Sequence, residues 1–258
     1  MISVIVPVYN VKPYIGLCLN SVKRQTYRDW ECIVVNDGST DGSDERIKEI
    51  TEGDNRFTVL NYENAGLPTA RNRGIAASHG DKLFFLDSDD WLEPNTLDIL
   101  NSYCEIFPDV GRIVGLDYVH WEQQGWSTYW SITPGGLHKP DSPHPFSNAD
   151  CDPGHATGCI YVKKNIPCEI SFPKVKIFED LVFNIGLIYA GVSMFVTPYY
   201  LYHYQRREGS LITTFLTQEE ADTIRNALAD LEEKYNPPKE VSDRCSKFLE
   251  NAIKGRMK

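Results

Sequence analysis

The feature that most constrains the fold is a regular alternation of strand and helix patterns over the first hundred residues. Short β-branched or aromatic runs predict strands at residues 2–8, 31–35, 57–61 and 82–86. Apolar residues at helical spacing predict helices at residues 14–25, around Ile47 and Ile50, at 67–78 and at 94–107. This rhythm predicts an α/β fold with a mostly parallel central sheet and helices on both faces. Ligands of such sheets bind at the carboxyl ends of the strands.

The second half of the chain is less regular. Residues 113–121 and 126–132 resemble a hairpin, and a long loop at 133–153 is rich in Pro, Gly, Ser, Asp and His. Further strands are expected at 158–162 and 192–197, and helices at 179–189, 217–235 and 241–257. Residues 199–214 are aromatic and basic, and we interpret them as a connector or as a segment that orders over a ligand. The sequence therefore predicts a small antiparallel subregion and two C-terminal helices beside the main sheet.

Charge and cysteine content narrow the class of protein. The 258 residues carry a formal net charge of −10, which argues against nucleic acid as a partner because phosphates require a basic surface. The seven cysteines form no CxxC pair, which favours reduced thiols in a cytoplasmic protein. No apolar run approaches the ~18 residues of a membrane span. We expect any membrane contact, for example at the inner face of the cell membrane, to be peripheral.

An acidic cluster follows the fourth predicted strand, at residues Asp87, Ser88, Asp89 and Asp90. Three neighbouring carboxylates repel one another, and a hard divalent cation offsets that repulsion. Mg²⁺ or Mn²⁺ typically takes one or two protein carboxylates and completes its shell with substrate phosphates and water. The alternative is that these residues cap the helix that begins near Pro94. Both interpretations are open at this point.

Two other strand ends carry candidate binding residues. Tyr9 follows the first strand and offers a ring for stacking on a base, while Asp37 after the second strand offers acceptors for a base N–H. Gly38 permits close approach of the backbone. The alternative for residues 36–42 is an Asx-turn followed by a helix cap. The chain contains no GxGxxG or Walker sequence, which disfavours a dinucleotide enzyme or a P-loop NTPase.

Five stretches together resemble the family-2 glycosyltransferases, which have the Rossmann-like GT-A fold. They are SVIVPVYN (3–10), VVNDGSTDGS (34–43), NAGLPTARNRGI (64–75), LDSDDW (86–91) and FEDLVFNIGL (178–187). YHYQRREGS (202–210) is a weaker match. The stretches occur in the order typical of the family and cover about residues 1–215.

The resemblance implies a donor site for a nucleotide-diphosphate sugar, most often a UDP-sugar. It implies that the nucleotide lies against Pro7, Tyr9, Asn10, Asp37, Gly38, Arg71, Asp87 and Ser88. Asp89 would bind Mn²⁺ or Mg²⁺, with Asp87 and His203 as further candidate ligands. Arg206 and Arg207 are candidates for the diphosphate. For Arg71 the alternatives are a solvated helix face or a buried ion pair.

On the acceptor side, the resemblance implies that Asp180 is the general base and that Glu179 orients it or binds the acceptor. The alternative is that both acids only favour the start of a helix. The reaction implied is an inverting, metal-assisted single displacement onto a saccharide or lipid-linked acceptor. We accordingly expect a donor half at residues 1–110, an acceptor half at 111–215 and a helical appendage at 216–258. A cluster of aromatic residues is a candidate acceptor surface or hairpin core, namely Tyr118, Trp121, Trp126, Tyr129 and Trp130.

Other functions remain open from the sequence. A nucleotide-sugar nucleotidyltransferase also uses an α/β sheet and an Asp-bound metal, but residues 8–13 lack its Gly-rich basic loop. A non-catalytic nucleotide-sugar-binding module is the second alternative, and a receiver-like phosphoacceptor domain is the third, although the chain is about twice the size of one. The C-terminal helices leave a homodimer open.

Overall fold

The computed structural model describes residues 1–121, 126–130, 144–146, 155–207 and 214–257. The strands are β1 (Ile2–Val8), β2 (Trp30–Asn36), β3 (Phe57–Asn61), β4 (Lys82–Phe85), β5 (Trp91–Leu92), β6 (Arg112–Trp121), β7 (Trp126–Trp130), β8 (His144–Phe146), β9 (Cys159–Val162) and β10 (Met194–Arg206). The helices are α1 (Lys12–Lys23), α2 (Ser43–Thr51), α3 (Leu67–Ala77), α4 (Thr96–Ile106), α5 (Glu179–Tyr189), α6 (Gln218–Tyr235) and α7 (Lys239–Lys254). A short 3₁₀ turn covers Lys163–Asn165.

One sheet runs through the molecule in the order β3-β2-β1-β4-β9-β6-β10-β5, with β7 beside β6 and β8 beside β10. The pairs β3-β2, β2-β1, β1-β4 and β6-β10 are parallel, whereas β9 runs antiparallel to both β4 and β6. β7 is antiparallel to β6, as the predicted hairpin requires. The observed sheet confirms the predicted architecture, including its small antiparallel region.

Two cores cover the two faces of this sheet. β1 is buried along its whole length because it lies between β2 and β4, and its alternate side chains enter opposite cores. Helices α1, α2 and α4 pack on one face through residues such as Leu19, Ile47 and Leu100. On the other face α5, α6 and α7 share a single cluster, so the C-terminal helices lie against the main sheet domain. Strands from before and after residue 110 belong to the same sheet, and the division into a donor half and an acceptor half stays a prediction.

Helix ends follow local chemistry, with one correction. Thr217 and Glu220 form the reciprocal capping box that starts α6. The sequence offers Ser39, Thr40 and Asp41 as caps for α2, but the N-cap is Gly42 at φ +87°. Asp41 instead accepts bonds from the Ser43 N–H and the Lys12 N–H, and so joins the loop after β1 to the loop after β2. Tertiary pairing of two loops therefore decides where α2 begins.

The largest difference from the sequence-based expectation is the length of β10. A strand was expected to end at residue 197, and the aromatic stretch after it was expected to be a connector or a mobile cover. The structure instead continues the strand to Arg206 in parallel register with β6. Register shifts between Val196 and Tyr202 carry the strand past Pro198, a residue that normally breaks a central strand. Residues 208–210 of the expected cover lie outside the described part of the chain.

Candidate functional site

The acidic turn after β4 lies at the carboxyl edge of the sheet, and each of its three carboxylates has its own partner. Asp87 accepts from Arg71 Nη2 at 2.8 Å, and Asp89 accepts from Arg207 Nε at 2.6 Å. Asp90 accepts from the Tyr202 hydroxyl at 2.5 Å and from the Gln205 N–H at 2.7 Å. Two guanidinium groups and two neutral donors therefore offset the repulsion expected from the sequence.

Asp90 is an anchor that the sequence reasoning did not assign. It is 1 % exposed, and burial together with Asp89 and Asp87 raises its pKa well above the usual range. The Tyr202 hydroxyl donates to Asp90 and accepts from the Asp87 N–H at 3.2 Å. This hydroxyl ties the acidic turn to β10, and no local pattern could reveal a contact between residues so far apart in the chain.

Arg71 was expected beside the nucleotide, but the structure buries it at 2 % exposure between two carboxylates. Its Nη1 donates to Glu179 at 2.6 Å and its Nη2 to Asp87 at 2.8 Å. The ring of Phe172 lies 5.2 Å from the guanidinium carbon. The buried ion pair, one of the two alternatives, is therefore what forms. Arg71 joins the acidic turn to the start of α5, and its contact with the nucleotide stays a prediction.

The first turn of α5 places Glu179 and Asp180 in different environments. Glu179 is 6 % exposed, and burial, followed by the nearby Asp180, raises its pKa to about 7 while Arg71 opposes the shift. Asp180 is half-buried, and its Oδ1 accepts from the Leu181 N–H at 2.7 Å. The structure therefore buries Glu179 and leaves Asp180 at the more accessible position, and the role of Asp180 as a base stays a prediction.

Asp37 lies at the end of β2 and organises the loop that leads into α3. Its carboxylate accepts from the backbone N–H groups of Ala65 and Gly66 and from Arg73 Nη1 at 2.9 Å. Because the Ala65 N–H is within hydrogen-bond distance of both oxygens, each oxygen already has two donors, and Asp37 is 3 % exposed. A base N–H at Asp37 would therefore share or displace one of these bonds. Arg73, which the sequence reasoning missed, also lies 4.1 Å over the Tyr62 ring.

The other expected nucleotide contacts surround the ends of β1 and β2. Tyr9 is 52 % exposed and leaves its ring available for stacking, whereas Pro7 and Ser88 are buried. Asn10 adopts φ +52°, and its side-chain oxygen accepts from the Thr40 N–H. A Cβ on Gly38, at φ +79°, would lie 2.9 Å from the Asn64 backbone nitrogen. The glycine is required because two loops approach there.

His203 and Arg206 have partners away from Asp89. The His203 ring is stacked between Trp91 and Tyr118, at 4.9 and 4.8 Å. Its ring nitrogens lie 2.8 Å from His120 Nε2 and from Glu93 Oε1, so metal binding would break one of these bonds. Arg206 lies 4.3 Å over the Trp121 ring.

Of the aromatic cluster, Tyr118 and Trp121 are packed on these partners. Trp126, Tyr129 and Trp130 lie in β7, where their backbone pairs with β6. An acceptor role for this cluster stays a prediction. The long loop expected at 133–153 lies outside the described residues, except for the backbone of β8. The six described cysteines form no disulfide, and Cys151 is not among them.

The acidic turn has the chemistry of a divalent-cation site. Within the described ranges no group of three or more His, Cys, Asp or Glu side chains is arranged to hold a metal. Asp89 and Asp87, whose side chains are 19 and 30 % exposed, supply the one or two oxygen ligands that Mg²⁺ takes beside phosphates. Arg207 already pairs with Asp89, so a metal there would displace this guanidinium or share the carboxylate with it. The residues present therefore fit a phosphate-bridging Mn²⁺ or Mg²⁺.

The sheet and the two groups of carboxylates at its carboxyl edge define the class as a glycosyltransferase with the GT-A fold. The sequence model described as Glycosyl transferase family 2 matches residues 3–156, more than half of the chain, and the chain belongs to this family. Among the described helices, none combines the length and apolar character that crossing a membrane requires.

Named relatives and solved structures agree with this assignment. Glycosyltransferase GlyA of Streptococcus pneumoniae is 50 % identical over 99 residues, which cover 38 % of this chain and 14 % of that protein. Glycosyltransferase GlyG of the same species is 28 % identical over 224 residues, covering 83 % and 73 %. The fold matches S. aureus TarS in complex with UDP-GlcNAc at a TM-score of 0.82 and 20 % identity, covering 99 % and 73 %. The GlyA match thus extends over only a small part of that relative.

Proposed function

We propose that this chain is an inverting glycosyltransferase that moves a sugar from a UDP-sugar to a saccharide or lipid-linked acceptor. The observation that carries the proposal is the Arg71 bridge. One guanidinium contacts Asp87 on the donor side at 2.8 Å and Glu179, next to Asp180, at 2.6 Å. A donor diphosphate at the acidic turn and an acceptor hydroxyl at Asp180 would therefore lie on two sides of one small space, as an in-line displacement requires.

The proposed donor is a nucleotide diphosphate with uracil as the base. Tyr9 offers an exposed ring at the end of β1, and the Asp37 N–H donates to the neighbouring Val8 carbonyl, so a base stacked on Tyr9 would lie near the Asp37 carboxylate. The structurally similar TarS was crystallised with UDP and with UDP-GlcNAc. At 20 % identity that likeness concerns the fold, so the nucleobase and the sugar of the donor are proposals for this chain.

In the proposed mechanism Asp180 accepts the proton of the acceptor hydroxyl as that oxygen attacks the anomeric carbon from the face opposite the diphosphate. Glu179, fixed by Arg71, holds the first turn of α5 in place and so positions Asp180. Arg207 and Arg206 lie at the end of β10 and would contact the departing diphosphate. A metal bound at Asp89, with Asp87, supplies Lewis-acid neutralisation of the diphosphate.

The acceptor side is proposed more broadly, as a saccharide or a glycolipid. Named relatives include the chondroitin synthase and the hyaluronan synthase of Pasteurella multocida, each 34 % identical over 99 residues and each matched over 10 % of its length. These names support polysaccharide assembly as the context. A cytoplasmic location, contact with a membrane surface and a homodimer stay predictions of the sequence.

The first test is calorimetric titration of UDP with Mn²⁺ and again with EDTA. We expect binding that needs the metal and that disappears in Asp89→Ala. If UDP, GDP and dTDP all fail to bind, the assignment of these residues to a donor site is wrong. Turnover of UDP-sugars should release UDP, since a nucleotidyltransferase would release pyrophosphate instead.

The second test addresses the role of Asp180 as the general base. Asp180→Asn should lower kcat by about 10²–10⁴ and leave the Kd for UDP unchanged, because general-base catalysis contributes in that range. Glu219→Gln, which changes another acid in the first turn of a helix, is the matched control and should leave kcat unchanged. An Asp180→Asn variant with full activity would contradict the assignment and favour a non-catalytic binding module.

A further inference from the structure

The carboxylate proposed to bind the metal already holds a cation from the chain itself. Arg207 Nε lies 2.6 Å from Asp89 Oδ2, and the two side chains are 24 and 19 % exposed. The ring of Tyr14 lies 5.4 Å from the guanidinium carbon. Arg207 therefore occupies the position that the mechanism assigns to a divalent cation, while it is itself a candidate for binding the diphosphate.

The other two carboxylates of the turn are held differently. Asp87 is paired with Arg71, which is 2 % exposed and is fixed by a second carboxylate, Glu179. Asp90 accepts from a hydroxyl and a backbone N–H, neither of which carries charge. Within this turn, the pair at Asp89 is the one whose cation is itself partly exposed: the Arg207 side chain is 24 % exposed and that of Arg71 is 2 %.

We infer that Arg207 exchanges partners when the donor binds, an inference that rests on the proposed function. Without donor, its guanidinium neutralises Asp89. With donor and metal, the cation takes Asp89 and Arg207 turns to the diphosphate. A guanidinium and a metal ion on one carboxylate repel each other, and the negatively charged diphosphate between them removes that repulsion.

The exchange needs movement of one side chain only. The backbone two residues earlier is fixed, because the Gln205 N–H donates to the buried Asp90 at 2.7 Å. Tyr202 holds the same strand to the same turn. The Cα of Arg207 therefore stays in place. Its partly exposed guanidinium can rotate on the long side chain from the Asp89 carboxylate to the phosphates.

The consequence is coupling between two ligands. Metal alone must displace Arg207 from Asp89 and is left beside an uncompensated guanidinium, so it binds weakly. Metal with UDP gives Arg207 a new anionic partner. The metal should therefore increase the affinity for UDP, and UDP should increase the affinity for the metal by the same factor, which is on the order of 10-fold or more for such couplings.

The test measures binding rather than turnover. Free Mn²⁺ is followed by electron paramagnetic resonance during titration of the full chain, with and without UDP. Arg207→Gln should bind Mn²⁺ alone about threefold or more tighter than the parent, bind UDP with Mn²⁺ more weakly, and lose most of the coupling. Arg46→Gln removes the same charge at an exposed pair with Glu49 on α2, outside the site, and should retain the coupling. Arg207→Lys keeps the positive charge and should retain part of the coupling between UDP and Mn²⁺.

The possible results separate the two proposals. If the parent shows no binding of UDP with Mn²⁺, the proposed function fails and the inference fails with it. If the parent binds both but Arg207→Gln binds Mn²⁺ alone no more tightly, the function stands and the exchange is overturned. Equal tightening in Arg46→Gln would also overturn it, because the effect would then come from net charge. Thermal melting curves check that each variant is folded.

Discussion

Arg71→Met should destabilise the protein more than any single change at a surface ion pair. The substitution keeps an unbranched side chain of related shape but leaves Glu179, 7 % exposed in its side chain, without its cation. Removing one partner of a buried pair costs about 3–5 kcal/mol, because the remaining charge stays buried. Asp87, 30 % exposed, can be rehydrated and should contribute less. We therefore expect the free energy of unfolding to fall by about 3–5 kcal/mol at pH 8.

The assay is urea unfolding followed by circular dichroism. Arg46→Met is the matched control, because Arg46 and Glu49 also form a 2.7 Å pair but with side chains 46 and 63 % exposed. Pairs on the surface contribute about 0.2–1 kcal/mol. A second change, Glu179→Gln in the Arg71→Met background, should restore part of the loss by removing the unpaired charge. A loss below about 1 kcal/mol for Arg71→Met would refute the reasoning that burial sets the strength of this pair.

The remaining predictions concern pH, the β10 anchor and one glycine. Because the pKa of Glu179 is raised to about 7 in the folded protein, the folded state binds more protons than the unfolded state between about pH 4.5 and 7. The contribution of Glu179 to stability should therefore fall as the pH rises through that window. Urea unfolding at several pH values would show this fall, and a Glu179→Gln variant should lose the pH dependence. Tyr202→Phe removes the hydroxyl between Asp90 and the Asp87 N–H, so it should cost about 1–3 kcal/mol of stability in urea unfolding, and an unchanged midpoint would contradict the anchor. Gly38→Ala should lower the melting temperature and weaken UDP binding, because it adds a Cβ 2.9 Å from the Asn64 nitrogen at φ +79°. Gly53→Ala, at a similar φ of +78° with nothing within 4 Å, separates backbone strain of about 1–2 kcal/mol from that close contact.

Local patterns predicted several strands and helices with their bounds. The strands at Ile2–Val8 and Phe57–Asn61 and the helix at Glu179–Tyr189 have the expected bounds. Ile2–Val8 was predictable because a strand buried on both faces requires a continuous β-branched run. The family membership was also readable from the ordered motifs, and it is confirmed by the match to residues 3–156.

The partners of the site residues were not predictable in the same way. His203 was a candidate metal ligand, and its stacking between Trp91 and Tyr118 and its two hydrogen bonds were not foreseen. Arg73 was missed because its partner, the Asp37 carboxylate, lies 36 positions earlier in the chain. The length of β10 was missed because a strand that crosses Pro198 depends on the neighbouring strand β6.

The sequence by itself determined the alternation of strands and helices, the carboxylates at the strand ends and the family. These follow from periodicity and residue chemistry, which act over a few neighbouring positions. Only the tertiary structure decided which cation faces which carboxylate: Arg71 with Asp87 and Glu179, and Arg207 with Asp89. The physical reason is that the strength of an ion pair depends on distance and burial, and both are set when distant segments meet at one edge of the sheet.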